Sequence, residues 1–263
     1  MNIKKQILAA LLIFTSVATF SQVNLKEIDK SIVEIEKILY ASKYEVSNEL
    51  YSTFLKSLIK SGDVKNISIT KIDTSKWRES TSNSEPFVDL YHSHPAYKKY
   101  PVVNISHEAA MMFCKWLTNE YNSNPKRKFK KVIFRLPSEK EWIMAAQAGN
   151  SSAIYPWKGD RLQNKKGEFV CNFKHENKDT VRLDGKPNKN VNITARVDSY
   201  RPNKFGIYNM SGNVSEMINK NGIAKGGSWY ESLEFLTIAS KSVYDGSAKS
   251  FVGFRYFVDI IKK

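Results

Sequence analysis

Apolar positions recur at helical spacing three times in the first half of the chain, and each recurrence is opened by a serine. After Ser47, the residues Leu50, Tyr51, Phe54, Leu55, Leu58 and Ile59 fall on one face. After Ser106, Ala110, Phe113, Cys114 and Leu117 face inward, with Trp116 and Tyr121 on the flank. Ser138-Glu139-Lys140-Glu141 reads as a capping box that launches a short third helix through Trp142, Ala145 and Ala146. Beyond Gly149 the helical period fades into Asn, Asp, Gly and Pro between short apolar runs. That pattern predicts long irregular loops joined by short strands, with strands expected over 132–136, 223–229 and 251–258. So much loop in a compact domain needs something to order it, and metal ions are one means.

The N-terminus follows a different pattern. Lys4 and Lys5 precede an apolar stretch over 7–18, and Ala18-Thr19-Phe20-Ser21-Gln22 forms a small-residue exit. These are the three regions of a secretory signal, and the stretch is shorter than the roughly 20 residues of a membrane span. The expected organisation is a signal peptide over 1–21, a lead-in over 22–38 and one domain over 39–263. The mature chain would then carry no transmembrane anchor and be secreted or periplasmic, including the cell surface.

Composition adds little beyond a globular class, with 41% hydrophobic and 12% aromatic residues. The net charge of +15 invites a nucleic-acid reading, but the lysines are scattered, with one short cluster over 126–131. Export also separates the chain from nucleic acid, so the charge reads as a solvated surface with a weak pull on anionic glycans or membranes. Cys114 and Cys171 are the two cysteines, and spacing alone leaves open whether they form a disulfide.

Several motifs occur in order. They are Tyr44-Glu45-Val46-Ser47-Asn48, Tyr100-Pro101-Val102-Val103-Asn104-Ile105-Ser106, and Arg135-Leu136-Pro137-Ser138-Glu139-Lys140-Glu141-Trp142. Pro202-Asn203-Lys204-Phe205-Gly206 and Asn209-Met210-Ser211-Gly212-Asn213-Val214-Ser215-Glu216-Met217 follow, then Gly226-Gly227-Ser228-Trp229 and Val252-Gly253-Phe254-Arg255. Together they resemble the formylglycine-generating, or sulfatase-modifying-factor, family over roughly residues 39–258. The resemblance implies an α+β domain, a variant of the C-type-lectin-like fold with little regular secondary structure and calcium-braced loops.

The resemblance also implies metal sites. Asn209, Gly212, Val214 and Glu216 match a structural calcium site built from an Asn, two carbonyls and a Glu, hard oxygen donors of the kind calcium prefers. The alternative is that Asn209 and Glu216 brace a turn by hydrogen bonds. Asn172, Phe173, Asp184 and Lys186 are the nearest matches to a second site, with spacing two residues shorter than in the oxidases.

The family's oxidases bind copper(I) through two thiols, three and eight residues after the Ser of Gly-Gly-Ser. Here those positions are Glu231 and Leu236, and neither supplies a soft ligand, so copper is not expected. Cys114 reads as a buried side chain, and His92 and His94 as a surface pair before Pro95. The expectation is a non-catalytic binding or assembly module of the cell envelope, linked by family analogy to secretion or gliding. Its ligand would be a protein or peptide held in a groove around Ser228, Trp229, Tyr230 and Arg255. The alternative is an oxidase with displaced cysteines or another metal.

Overall fold

The computed structural model describes residues 23–174 and 193–263, so the expected signal peptide lies outside the described residues. The described residues open with helix α1 (Leu25–Ser31), strands β1 (Ile32–Glu36) and β2 (Leu39–Ser42), then α2 (Asn48–Ser61), α3 (Val64–Thr70) and α4 (Glu85–Leu90). The chain continues through α5 (His107–Ser123), β3 (Lys131–Arg135) and α6 (Glu139–Gln147). The strands β4 (Ser215–Met217), β5 (Ile223–Lys225), β6 (Ser242–Val243), β7 (Val252–Gly253) and β8 (Phe257–Lys262) complete it.

The three predicted helices are α2, α5 and α6. Ser47, Ser106 and Ser138 hold extended backbone and accept hydrogen bonds from the N–H groups of Leu50, Ala109 and Glu141. Each serine thereby satisfies a donor that the first helical turn leaves open. Glu141 reaches back to the Ser138 N–H, completing the capping box. On α5 the predicted inward residues are buried, but Tyr121 is buried with them rather than flanking, its hydroxyl donating to Asp29 at 2.7 Å. On α2 the buried stripe narrows to Tyr51, Phe54 and Leu58, and Ile59 in the last turn is exposed.

Two four-stranded sheets organise the rest. The first has the order β1-β2-β8-β3, antiparallel throughout, and the second has the order β6-β5-β4-β7, in which β4 and β7 run parallel. Helix α5 lies on the first sheet, and Phe54, Phe113 and Phe254 meet edge to face in the core between them. The β1–β2 hairpin spans the boundary expected at residue 39, and Leu25, Ile28 and Ile32 belong to the main core. The stretch expected as a lead-in is therefore part of the domain.

Two predicted strands are shorter than expected. The strand expected over 223–229 ends at Lys225, because Gly226 and Gly227 adopt positive φ and turn the chain. The strand expected over 251–258 divides into β7 and β8, leaving Phe254, Arg255 and Tyr256 between the two sheets. Among the described residues, no helix is long and apolar enough to cross a membrane.

Candidate functional site

The motif over 209–216 forms a tight turn that enters β4. Asn209 and Asn213 sit at φ 52° and 66°, a left-handed region that asparagine tolerates better than most residues. Gly212, at φ 78°, passes so close to residue 172 that an added Cβ would stand 2.4 Å from the Asn172 carbonyl oxygen. The Asn213 N–H donates to that same carbonyl at 2.7 Å, and the Gly212 N–H donates to Gly226 at 2.8 Å. The turn is thus stitched both to the 172 loop and to the Gly-Gly-Ser segment.

Glu216 emerges from this turn into the interior. Arg255 holds it from the side, with Nε donating to Oε2 at 2.6 Å and Nη2 to Oε1 at 2.5 Å. The Trp142 indole donates to Oε2 at 2.8 Å. Two further guanidinium N–H groups donate to the carbonyls of Ser42 at 3.0 Å and Tyr208 at 2.8 Å. Both residues are buried. Burial works against the Arg255 charge, but Glu216 raises its pKa above the ordinary value. A bidentate pair with further hydrogen bonds of this kind is the form in which two charges tolerate an interior.

A second buried carboxyl group stands beside the pair. Glu45 accepts from Asn209 Nδ2 at 3.0 Å and from Asn213 Nδ2 at 2.8 Å. Burial pushes the Glu45 carboxyl up to about 8; Arg255 and the two amides pull against that rise, and Glu216 adds to it. The sequence reading assigned no role to Glu45, Asn213 or Trp142. The sequence signal for Glu45 is its place in the Tyr44-Glu45-Val46-Ser47-Asn48 motif.

This arrangement bears directly on calcium. The carboxylate that the resemblance assigns to the ion is already neutralised by the chain's own guanidinium, and Asn209 turns its amide N–H groups to Glu45 and to the Val197 carbonyl. Gly212 and Val214 contribute only carbonyls, so the one carboxylate of this donor set already faces Arg255. The donor set as arranged does not fit calcium. At the second expected site, Asn172 donates to the Ile193 carbonyl at 2.7 Å and Phe173 packs in an apolar cluster. Asp184 and Lys186 lie outside the described residues. Among the described residues, no three His, Cys, Asp or Glu side chains gather as a metal-binding group.

The Gly-Gly-Ser segment leads to the positions where the resemblance places thiols. Glu231 accepts hydrogen bonds from three serine hydroxyls, those of Ser215 on β4, Ser228 in the turn and Ser242 on β6. All three serines are buried. The carboxylate therefore clasps two strands and a turn together from within. Neither Ser215 nor Ser242 was singled out in the sequence, since only folding brings them to Glu231. Leu236 is sealed in an apolar cluster with Cys171 and Phe173.

Cys114 lies in the main core and Cys171 in that smaller cluster, and both are free. Burial pushes the Cys171 thiol up to about 12 and raises Cys114 as well, so neither offers a thiolate at neutral pH.

The expected groove is corrected by burial. Ser228, Trp229 and Arg255 are all interior, with Trp229 donating its indole N–H to the Ser250 carbonyl at 3.1 Å and stacking on Trp77. Only Tyr230 reaches the surface in part. It stacks on Phe251 with ring centroids 4.9 Å apart, and Lys174 Nζ lies 5.2 Å from its ring centre. The histidine pair is also corrected. His92 Nδ1 lies 2.9 Å from Asn48 Oδ1, and burial pushes its pKa down to about 3, whereas His94 accepts from the Ala96 N–H in a turn.

Asn48 donates both amide N–H groups to the carbonyls of Tyr91 and Tyr97. Its oxygen must then accept, which places the His92 proton on Nδ1.

Residues 18–260 match the family described as the sulfatase-modifying factor enzyme 1-like domain. Formylglycine-generating enzymes are similar at 32% identity over 117 residues, both in Thermomonospora curvata and in Mus musculus. The matched stretch is 44% of this chain and 32% and 26% of those proteins. An inactive C-alpha-formylglycine-generating enzyme 2 from Bos taurus is 28% identical over 120 residues, 45% of this chain and 32% of that protein. The chain thus spans about a third or less of the length of the curated relatives it matches. Among solved structures, CarF superposes with a TM-score of 0.57 at 23% identity, covering 85% of this chain and 87% of that one. PvdO from Pseudomonas aeruginosa gives a TM-score of 0.55 at 19% identity, covering 84% and 80%. These two likenesses concern the fold.

Proposed function

The chain belongs to the sulfatase-modifying factor enzyme 1-like family, and within it we propose an exported, non-catalytic binding module of the cell envelope. One observation carries this reading. At the two positions where the family's oxidases are expected to hold thiols, Glu231 is locked by three buried serines and Leu236 is sealed in an apolar cluster. A copper(I) centre needs soft ligands, and the two cysteines that exist are buried in separate clusters with raised pKa values. The similarity to an inactive relative is consistent with the same reading. The N-terminal charged, apolar and small-residue pattern supports export.

The ligand-facing element is then the partly exposed Tyr230, backed by Phe251 and flanked by Lys174. Aromatic and cationic side chains at a surface make good anchors for a protein or peptide. The test is incubation of the purified chain with copper(I) and a Cys-x-Pro-x-Arg peptide, beside an active family oxidase. No aldehyde should form. Aldehyde that forms and is lost on Cys171→Ser would overturn the non-catalytic reading. Tyr230→Ala should abolish capture of an envelope protein at unchanged melting temperature, and unaltered capture would remove Tyr230 from the binding surface.

A further inference from the structure

The end of the first sheet where β8 finishes carries charge and apolar surface together. Three exposed isoleucines lie along it. Ile38 lies in the β1–β2 turn, its carbonyl accepting from the Ile260 N–H at 2.8 Å, while Ile133 on β3 pairs with Asp259 and Ile261 is next but one along β8. They are 50%, 42% and 52% exposed. Register pairing sets Lys131 against Lys262, which brings the basic cluster of 126–131 beside the basic end of β8. Lys128, Lys130, Lys131, Lys262 and Lys263 are all exposed, and none forms an ion pair among the described residues. The nearby Asp259 is already held by Arg135 at 2.6 Å. Glu34 and Glu36 are on β1, two strands away from β8, with Glu36 two residues before Ile38.

We infer that this sheet end, where exposed Ile38, Ile133 and Ile261 lie near lysines that form no ion pair among the described residues, docks the protein on an anionic lipid surface. Lysines alone would suit any polyanion. The exposed isoleucines favour a bilayer, because a sulfated or uronic polysaccharide offers no apolar layer to receive them, whereas the headgroup–acyl boundary does. Lysines supply long-range attraction, and the isoleucines make the bound state shallow and specific in orientation. The inference is independent of the surface around Tyr230.

The test is co-sedimentation of the purified chain with phosphatidylcholine vesicles, with and without phosphatidylglycerol. Binding should require phosphatidylglycerol and fall away near 0.5 M salt, where the Debye length is only about 4 Å. The double substitution Lys131→Gln/Lys262→Gln should weaken partitioning about thirtyfold, the effect of two surface lysines near an anionic leaflet. Ile133→Ser/Ile261→Ser should weaken it too, while leaving heparin retention unchanged. Melting temperatures identify any variant that misfolds, and Lys128→Gln/Lys263→Gln then serves in its place. Absence of binding to phosphatidylglycerol vesicles, equal binding to neutral vesicles, or indifference to the lysine substitutions would each overturn the proposal. Retention on heparin without vesicle binding would also overturn it, in favour of a polysaccharide partner.

Discussion

Replacing Arg255 by methionine tests the central feature of the interior, that the chain uses its own guanidinium to neutralise Glu216. Arg255→Met keeps most of the volume but leaves Glu216 with a single donor, Trp142, and strips the Ser42 and Tyr208 carbonyls of theirs. Breaking a buried ion pair from one side costs about 3–5 kcal/mol, and each orphaned carbonyl adds about 1 kcal/mol or more. The expected loss is about 5–7 kcal/mol, comparable with the whole stability of many domains. Removing both charges, with Arg255→Met/Glu216→Leu, avoids the stranded carboxylate and should recover about 2–3 kcal/mol of that loss.

Urea unfolding followed by tryptophan fluorescence provides the assay, with Glu216→Leu completing the double-mutant cycle. The wild-type midpoint should be indifferent to added calcium or to a calcium chelator, because a ligand stabilises only in proportion to its binding. A loss below about 1 kcal/mol in Arg255→Met, or a wild-type midpoint that falls on chelation, would refute the reasoning.

Other outcomes follow from single residues. His92 is held neutral with a pKa of about 3, while the unfolded chain takes up its proton below about 6.5, so stability should fall as pH drops through that window. The slope should approach about 1.4 kcal/mol per pH unit and flatten in His92→Gln, and an equal slope in both proteins would exclude His92 as its source. Gly212→Ala should cost at least about 2 kcal/mol by thermal unfolding, since it combines a positive φ with a Cβ placed 2.4 Å from a backbone oxygen. A melting temperature within error of wild type would contradict the turn geometry.

Glu231→Gln puts an amide N–H against a serine hydroxyl and should cost about 1–3 kcal/mol, read as a lower urea midpoint. An unchanged midpoint would mean that the three serines do not depend on the carboxylate. Thiol titration of the native protein should leave Cys114 and Cys171 unmodified until urea unfolds the chain, and rapid modification would contradict their burial.

The helices were legible because their information is local. A serine cap and apolar residues at a period near 3.6, joined in α6 by a Glu three residues after the cap, lie within one or two turns of each other, so α2, α5 and α6 begin where the pattern says. The β1–β2 hairpin was not legible. Its strands are short, and they are held by β8, more than 200 residues away. The break after Lys225 also escaped notice, since an apolar run does not record that two glycines will turn.

At the candidate site the sequence determined the family, the order of its motifs and the loss of the thiol positions to Glu231 and Leu236. What it could not determine was which charges would meet. Glu216 and Asn209 have the residue types of a calcium site, and a sequence cannot tell a metal ligand from an ion-pair partner. That choice fell to tertiary packing, which brings Arg255 across 39 positions to close on Glu216. It also seats Glu45 between two asparagines and leaves Trp229 inside, where a motif alone suggested a groove. The physical reason is that a buried charge must be neutralised by whatever lies within a few ångströms, and in a loop-rich domain those neighbours come from distant parts of the chain.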